Sequence, residues 1–348
     1  MERCLRNVPR AIRNLIVLEN IPIKAIPLPD YNQYKSDLCH LHNVSFPLCI
    51  VPFGKKGNLS KLPFPLSQQK KGWPWNNESS IFFSDSKEIP KLSVIIPSYQ
   101  QGIYIEEAIR SVLLQNYPNL ELIIMDGGST DGTVEILEYY KNFISVWISE
   151  KDRGQAHALN KGFSMATGEL YYWLNSDDYL NLDSVNKVVR IFKEHCKLDI
   201  IYGDGLTMDE QSKQLSYTFA PWVAERYLRF GSIVLSHSVI WKSKVHCALW
   251  EELNCAMDAE LWLRLFKNSR SMHCHLPIGI LRVHPEQKSS KLDVWEEKWK
   301  EDYEKFIWKW YPAIGLTRWK WRSAEFYYAQ KIFRFLTGTG KLKKYLSQ

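Results

Sequence analysis

Long hydrophobic runs are missing from this 348-residue chain. None approaches the ~18 apolar residues that span a bilayer. The seven cysteines (Cys4, Cys39, Cys49, Cys196, Cys247, Cys255, Cys274) are scattered, odd in number and never spaced C-x-x-C. That spacing excludes a disulfide framework and a zinc ribbon, and favours a reducing compartment. The basic N-terminus is not followed by the apolar stretch and cleavage site of a secretory leader. The sequons at Asn43, Asn58 and Asn77 therefore carry no message, and a cytoplasmic location is expected. Neither a G-x-G-x-x-G nor a G-x-x-x-x-G-K-[ST] loop is present, which removes the common dinucleotide and nucleoside triphosphate cradles. There is no internal repeat and no low-complexity tract.

What is there begins with enough apolar residues, 45%, for a full core. The net charge of +7 is uneven: residues 1–90 carry +5, residues 91–290 carry −4 and residues 291–348 carry +6. An acidic centre that handles phosphate needs a metal ion or backbone N–H groups. The length suits one large α/β domain with appendages, or two domains.

Residues 1–90 lack sustained periodicity, apart from a short amphipathic piece at Ala11–Leu18. Gly72-Trp73-Pro74-Trp75 is suited to plug this arm onto the main domain. From Lys91 the pattern alternates. Strands are expected at Leu92–Ile96, Leu120–Met125, Ile144–Ile148, Glu169–Leu174 and Asp199–Tyr202. Helices are expected between them at Tyr104–Gln115, Thr133–Lys141, Gly154–Met165 and Ser184–His195. Such alternation with short connections predicts right-handed βαβ units and a parallel sheet. Beyond Asp204 come strands at Gln214–Phe219, Ile233–Trp241 and Met272–Val283, with an amphipathic helix at Asp258–Phe266.

Three strand ends converge on one sheet edge, where open α/β sheets bind ligands. They are Pro97-Ser98-Tyr99, the turn Asp126–Thr133, and Asn175-Ser176-Asp177-Asp178. Adjacent carboxylates there are costly unless something positive sits on them. A divalent metal with phosphate oxygens would serve, and a solvated Asp-Asp turn is the alternative. In the second segment Ser129, Thr130 or Asp131 can cap the following helix. An EF-hand reading fails there, because Gly128 stands where an oxygen ligand is required. His273-Cys274-His275 looks like a ligand cluster, but alternate strand residues face opposite ways.

Four blocks now stand in order: Leu92–Tyr99, Asp126–Thr133, Ser149–Gln155 with Ala158–Gly162, and Trp173–Asp178. Together they resemble the family 2 glycosyltransferases of the GT-A fold, over roughly residues 91–285. The likeness is greatest to bacterial enzymes that build cell-surface polysaccharide, in which a Gly-Trp-Pro-Trp-like segment can precede the first strand. The resemblance implies a Rossmann-like, mostly parallel α/β sheet flanked by helices over residues 91–290, with an N-terminal arm (1–90) and a C-terminal helical extension (291–348). It also implies an inverting, metal-dependent transfer of sugar from a nucleotide-sugar to a glycan acceptor. By that resemblance Asp178 binds Mn²⁺ or Mg²⁺, and Asp177 faces the donor. Pro97, Ser98, Tyr99 and Asp126 line the nucleoside pocket, Asp152 contacts the nucleotide-sugar, and Asn160 and Lys161 reach towards the diphosphate. Asp258, in Met257–Arg264, is the expected general base, with Glu260 as fallback; the alternative for Asp258 is a helix cap. His284 is a further candidate metal ligand, or else a hydrogen-bonding histidine.

Two positions depart from the family pattern. Gly127 stands where many relatives have an Asp that contacts the base, so the nucleoside is left open. Asn175 replaces the first Asp of the longer motif. The tail holds six of the fourteen tryptophans (Trp295, Trp299, Trp308, Trp310, Trp319, Trp321) within its basic excess. That composition fits a packed helical subdomain or peripheral contact with an anionic membrane face and a lipid-linked acceptor. Nucleic acid is not an expected partner. The rival readings are a sugar nucleotidyltransferase, which would want a basic Gly-rich loop after the first strand, and a non-catalytic nucleotide-sugar-binding scaffold.

Overall fold

The computed structural model describes residues 28–67, 70–83, 89–218, 220, 234–267, 269–287, 297–299 and 301–302. The amphipathic piece at Ala11–Leu18 and most of the Trp-rich tail lie outside the described residues.

Strand β1 (Leu92–Ser98) is buried along its whole length, as is β2 (Leu120–Asp126). Both read as continuous apolar runs because both faces are covered. Ile95, Ile123 and Met125 point into one core, while Val94, Ile96, Leu122 and Ile124 point into the other. With β3 (Val146–Ser149) and β4 (Leu170–Trp173) they form a parallel block in the order β3-β2-β1-β4. On one face lie α2 (Ile105–Leu113), α3 (Thr133–Tyr140) and α5 (Ser184–Glu194); their apolar stripes fill the second core. On the other lies α4 (Gln155–Met165), pressed close to the sheet. A Cβ at Gly162 would stand 2.5 Å from Ile95 Cγ2, so only glycine permits that approach.

After β4 the sheet becomes mixed. The two-residue β5 (Tyr179–Leu180) is followed by β6 (Ile200–Asp209), β7 (Gln214–Thr218), β8 (Val239–Lys242) and β9 (Ser271–Val283). β8 pairs antiparallel with both β4 and β6, and β9 runs parallel to β6. β5 pairs antiparallel with β9, Tyr179 opposite Ile280, which brings the Asp177-Asp178 turn against residues 281–284. Helix α6 (Met257–Lys267) packs Leu261, Trp262, Leu265 and Phe266 into the first core. The apolar run expected as one strand over 233–241 is interrupted: Ser236–Ser238 form a 3-10 turn before β8 begins.

The N-terminal arm contains helix α1 (Tyr31–His42), which the sequence pattern did not reveal. Described residues of the arm from Asn58 onward reach α2 and α5: Asn58 donates to the Leu113 carbonyl, Leu66 N donates to Glu106, and the Ser80 carbonyl accepts from Asn186. Arg110, 1% exposed, donates to the carbonyls of Pro63, Pro74 and Trp75 and to the Tyr140 hydroxyl. Trp73 Nε1 donates to the carbonyl of Leu180, just beyond the Asp-Asp turn. The Gly-Trp-Pro-Trp segment is thus held to the domain by main-chain acceptors as well as by buried Trp75.

Helix α1 docks on α4 through a closed polar network. Asn160 is fully buried. Its amide nitrogen donates to the Leu249 carbonyl and to Glu251, while its oxygen accepts from Leu249 N and the Tyr31 hydroxyl. Tyr31 Oη also lies 2.9 Å from His246 Nε2, and Trp241 Nε1 donates to His246 Nδ1 at 3.3 Å. With an N–H aimed at Nδ1, His246 carries its proton on Nε2 and stays neutral. Burial pushes it down to about 3, and the Arg264 guanidinium adds to the effect. The unfolded chain therefore takes up a proton at His246 below about pH 6.5 that the folded chain refuses. Stability contributed this way is full above that pH and is lost as the pH falls, by about 2 kcal/mol at pH 5. Urea unfolding at pH 7, 6 and 5 should show a shallower stability slope in His246→Gln than in the wild type. An unchanged slope would remove His246 from this account.

Candidate functional site

The C-terminal ends of β1, β3 and β4 open onto a cleft of about 630 Å³. Pro97, Ser98 and Tyr99 leave β1 into it, with Tyr99 60% exposed and its ring free to stack on a planar ligand. Asp152 enters from the loop after β3, where Gly154 N donates to its Oδ1 at 2.7 Å. A Cβ at position 127 would lie 2.8 Å from Asp152 Oδ2 and 3.1 Å from the Tyr99 ring. Gly127 is therefore the residue that lets this carboxylate and this ring approach one another.

Asp126 is placed differently from the other expected site residues. It is 2% exposed and does not line the cleft. Its oxygens accept from Gly128 N, Ser129 N and the hydroxyls of Ser129 and Ser149, so it buckles the β2 turn instead. The following helix is capped at Gly132 with no side-chain cap. Asp131 spends one oxygen on Thr133 and the other on Gly102 N, tying this turn to the β1 loop. Asn160 and Lys161 do not line the cleft either. Asn160 is consumed by the network above, and Lys161 is 4% exposed and paired with Glu150.

The β4 turn carries the paired carboxylates. Asp178 is 1% exposed; Arg282 N donates to its Oδ1 at 3.0 Å and Asn175 Nδ2 to its Oδ2 at 3.3 Å. Burial, with Asp177 beside it, pushes the Asp178 carboxyl well above the usual range. The Arg282 guanidinium pulls it down without outweighing the burial, because its own contacts lie elsewhere. Its Nε donates to the Asp177 carbonyl, its Nη2 pairs with Glu107, and it lies between the Tyr104 and Tyr179 rings. Asn175 is explained as well. Its oxygen accepts from Gln155 Nε2 and Trp173 Nε1, each at 2.8 Å, while its amide faces Asp178.

Two histidines flank the pair. His284 Nε2 lies 3.2 Å from Asp177 Oδ2, with its ring 4.4 Å from that of Tyr104. It therefore touches Asp177 rather than Asp178. His237, which sequence reasoning passed over, lies with Nδ1 4.0 Å from Asp178 Oδ2. Burial pushes it down to about 4, so it is a neutral neighbour. Its one sequence signal is the polar Ser236-His237-Ser238 break in an otherwise apolar run.

Asp258, in the first turn of α6, lines the same cleft, as do Cys255, Met257, Leu281, Glu286, Gln287 and Ser236. Its Oδ1 accepts from Ala259 N at 2.7 Å. Glu260, the fallback, is fully buried and held by Arg264 through two 2.6 Å bonds, away from the cleft. His273 is likewise taken, by Asp204 at 2.7 Å.

The described lining includes Asp152, Asp177, Asp178, Asp258 and Glu286, and no Lys or Arg. Such a cleft fits a bound cation. Asp178 and Asp177, with His284 and His237 beside them, are the groups that would hold one. Among the described residues no cluster of three or more His, Cys, Asp or Glu side chains is arranged to enclose a metal by itself.

Residues 93–233 match the family described as Glycosyl transferase family 2. Chondroitin synthase of Escherichia coli is 26% identical over 266 residues, covering 74% of this chain and 38% of that protein. An uncharacterized glycosyltransferase of Rickettsia prowazekii (strain Madrid E) is 28% identical over 227 residues, covering 60% and 70%. The chain thus spans well under half the length of the first of these relatives. Among solved structures, S. aureus TarS 1-349 in complex with UDP-GlcNAc superposes with a TM-score of 0.50 at 21% identity, over 60% of this chain and 64% of that one. The shared architecture is the GT-A fold.

Asn175→Asp replaces the one amide donor to Asp178 with a third carboxylate while keeping both acceptor bonds. At pH 7 and without added metal, it should lower unfolding stability by about 1–3 kcal/mol. The loss should shrink as the pH falls through the carboxylate range and the repulsion is neutralised. Chemical denaturation at pH 7 and pH 4 reads both; an equal loss at both would contradict the assignment.

Proposed function

We propose, from the match of residues 93–233 to glycosyl transferase family 2, that this chain moves a sugar from a nucleoside diphosphate donor to a hydroxyl of a glycan acceptor, with inversion. One observation carries the reading. A single cleft holds a carboxylate pair at a strand end, a further carboxylate on α6, and no basic side chain among its described lining residues. A diphosphate leaving into such a surface develops charge that the side chains cannot neutralise. A divalent ion on Asp178, Mn²⁺ or Mg²⁺, would supply the Lewis acid.

The roles of this chain's own residues follow. Tyr99 stacks on the base or ribose, with Pro97 and Ser98 forming the floor and Asp152 offering an acceptor to the donor. Asp177 faces the sugar side and is steadied by His284. Asp258 takes the proton of the acceptor hydroxyl, whose oxygen attacks the anomeric carbon as the bond to the diphosphate breaks on the opposite side. A base across the cleft from the leaving group favours a single displacement, hence inversion.

The nucleotidyltransferase reading is disfavoured. Gln100, Gln101 and Gly102 after β1 carry no cation, and their N–H groups are used by Ser129, Thr133 and Asp131. A glycan acceptor, as in polysaccharide synthesis, is suggested by the first relative's name. A lipid-linked form would suit the tail's Trp and Lys content, and with it peripheral contact with the inner membrane face. No helix among the described residues is long and apolar enough to cross a membrane.

Thermal unfolding with UDP, GDP, dTDP and ADP, each with Mn²⁺ or with chelator, tests the donor half. At least one diphosphate should stabilise by about 2.7 kcal/mol at a hundredfold excess over its Kd, and only with the metal. Stabilisation by none of them, or equally with chelator, would overturn the metal-dependent reading. Asp178→Ala should abolish that stabilisation. Asp258→Asn should keep it, while donor hydrolysis falls about 10²–10⁴-fold.

A further inference from the structure

The residue before helix α6 has no side chain that could cap it. Ala256, Cys255 and Asn254 precede Met257, and the position that usually bears Ser, Thr, Asp or Asn is filled by Ala256. Three consecutive N–H groups, of Asn254, Cys255 and Ala256, point instead at one oxygen from far along the chain. Asp302 Oδ2 accepts from them at 2.7, 2.6 and 3.1 Å. Asp302 is 1% exposed, and nearby Trp299 packs on the core cluster that includes Trp250, Leu253 and Met257. The convergent N–H groups form an anion nest, filled here by a carboxylate from the C-terminal segment.

The nest adjoins the cleft. Cys255, Met257 and Asp258 all line it, and Asp258 lies two residues beyond the last of the three N–H groups. With the nest vacant, Asp258, in the first turn of the same helix, would be a carboxylate able to fold back towards those donors. We propose that Asp302 is a positioning residue for Asp258: it occupies the nest so that the Asp258 carboxylate faces the acceptor. The C-terminal segment is thereby part of the catalytic unit. This rests on the reading of Asp258 as the base. It assigns to residues beyond 290 a role distinct from membrane contact.

The full-length protein serves for the test, as Asp302→Ala, Asp302→Asn and Asp258→Asn. Asparagine keeps an acceptor oxygen for the nest, so it is the rescuing variant. Hydrogen exchange of the peptide covering 251–258 reads the nest. Release of nucleoside diphosphate from UDP-, GDP- and dTDP-sugars with Mn²⁺ reads the base through donor hydrolysis. Asp302→Ala should lose protection at 254–256 by tenfold or more and lose hydrolysis kcat by tenfold or more, with donor KM within twofold of the wild type. Asp302→Asn should stay within threefold on each measure. Hydrolysis by Asp302→Ala at the wild-type rate, while Asp258→Asn is inactive, would overturn the proposal and leave Asp258 as base. So would a rise in donor KM as large as the fall in kcat, since that marks general loosening of the fold. Wild-type hydrolysis by Asp258→Asn would overturn the base assignment itself, whatever Asp302 does.

Discussion

Repulsion between Asp177 and Asp178 is the constraint around which the cleft is arranged. Both lie in one turn, one of them wholly out of solvent, and the donors on Asp178 are a backbone N–H and a side-chain amide. The guanidinium best placed to neutralise them is turned aside to Glu107 and to a carbonyl. Neutral donors hold the geometry without cancelling the charge, which leaves the pair with unspent affinity for a cation. The cross-strand pairing of β5 with β9 does the rest. It fixes the turn against Arg282 and His284, so the pair cannot relax by swinging into water.

The supports of this turn come from distant parts of the chain. Trp73, in the arm, donates to the carbonyl of Leu180. Tyr34 Oη bonds Arg153 and Glu251, and those two also pair directly at 2.6 Å. That clamps the loop bearing Asp152. His42 reaches Glu150 at its base. Both ends of this sheet edge are therefore braced from residues 31–83, a stretch with no periodic signal of its own.

Much of the framework was legible because it is local. A strand buried on both faces reads as an unbroken apolar run, and a helix over it reads as a stripe. The residues where such strands stop are then the residues at the sheet edge. Pro97, Tyr99, Asp152, Asp177, Asp178 and Asp258 were reachable on that basis together with the family likeness, and all of them line one cleft. What stayed hidden depends on contacts between residues far apart in sequence. Asp126 looked like a ligand-facing carboxylate, because nothing in its neighbours shows that both oxygens would be consumed by its own turn and by Ser149. Arg282 and Asp302 act across separations of 104 and 46–48 residues, and no pattern along the chain marks such partners. His237 was obscured by an apolar run that reads as one strand but contains a turn.

The buried position of Arg110 has a consequence for how such a chain can be divided. Its four acceptors span both sides of the boundary where the family likeness begins: three are carbonyls of the arm and one is a hydroxyl of α3. A fragment cut at residue 91 would keep the guanidinium and lose most of what solvates it. Recombination between relatives that differ in donor or acceptor would meet the same joint. The segment that can be exchanged as a block therefore extends further towards the N-terminus than the segment that is recognisably shared.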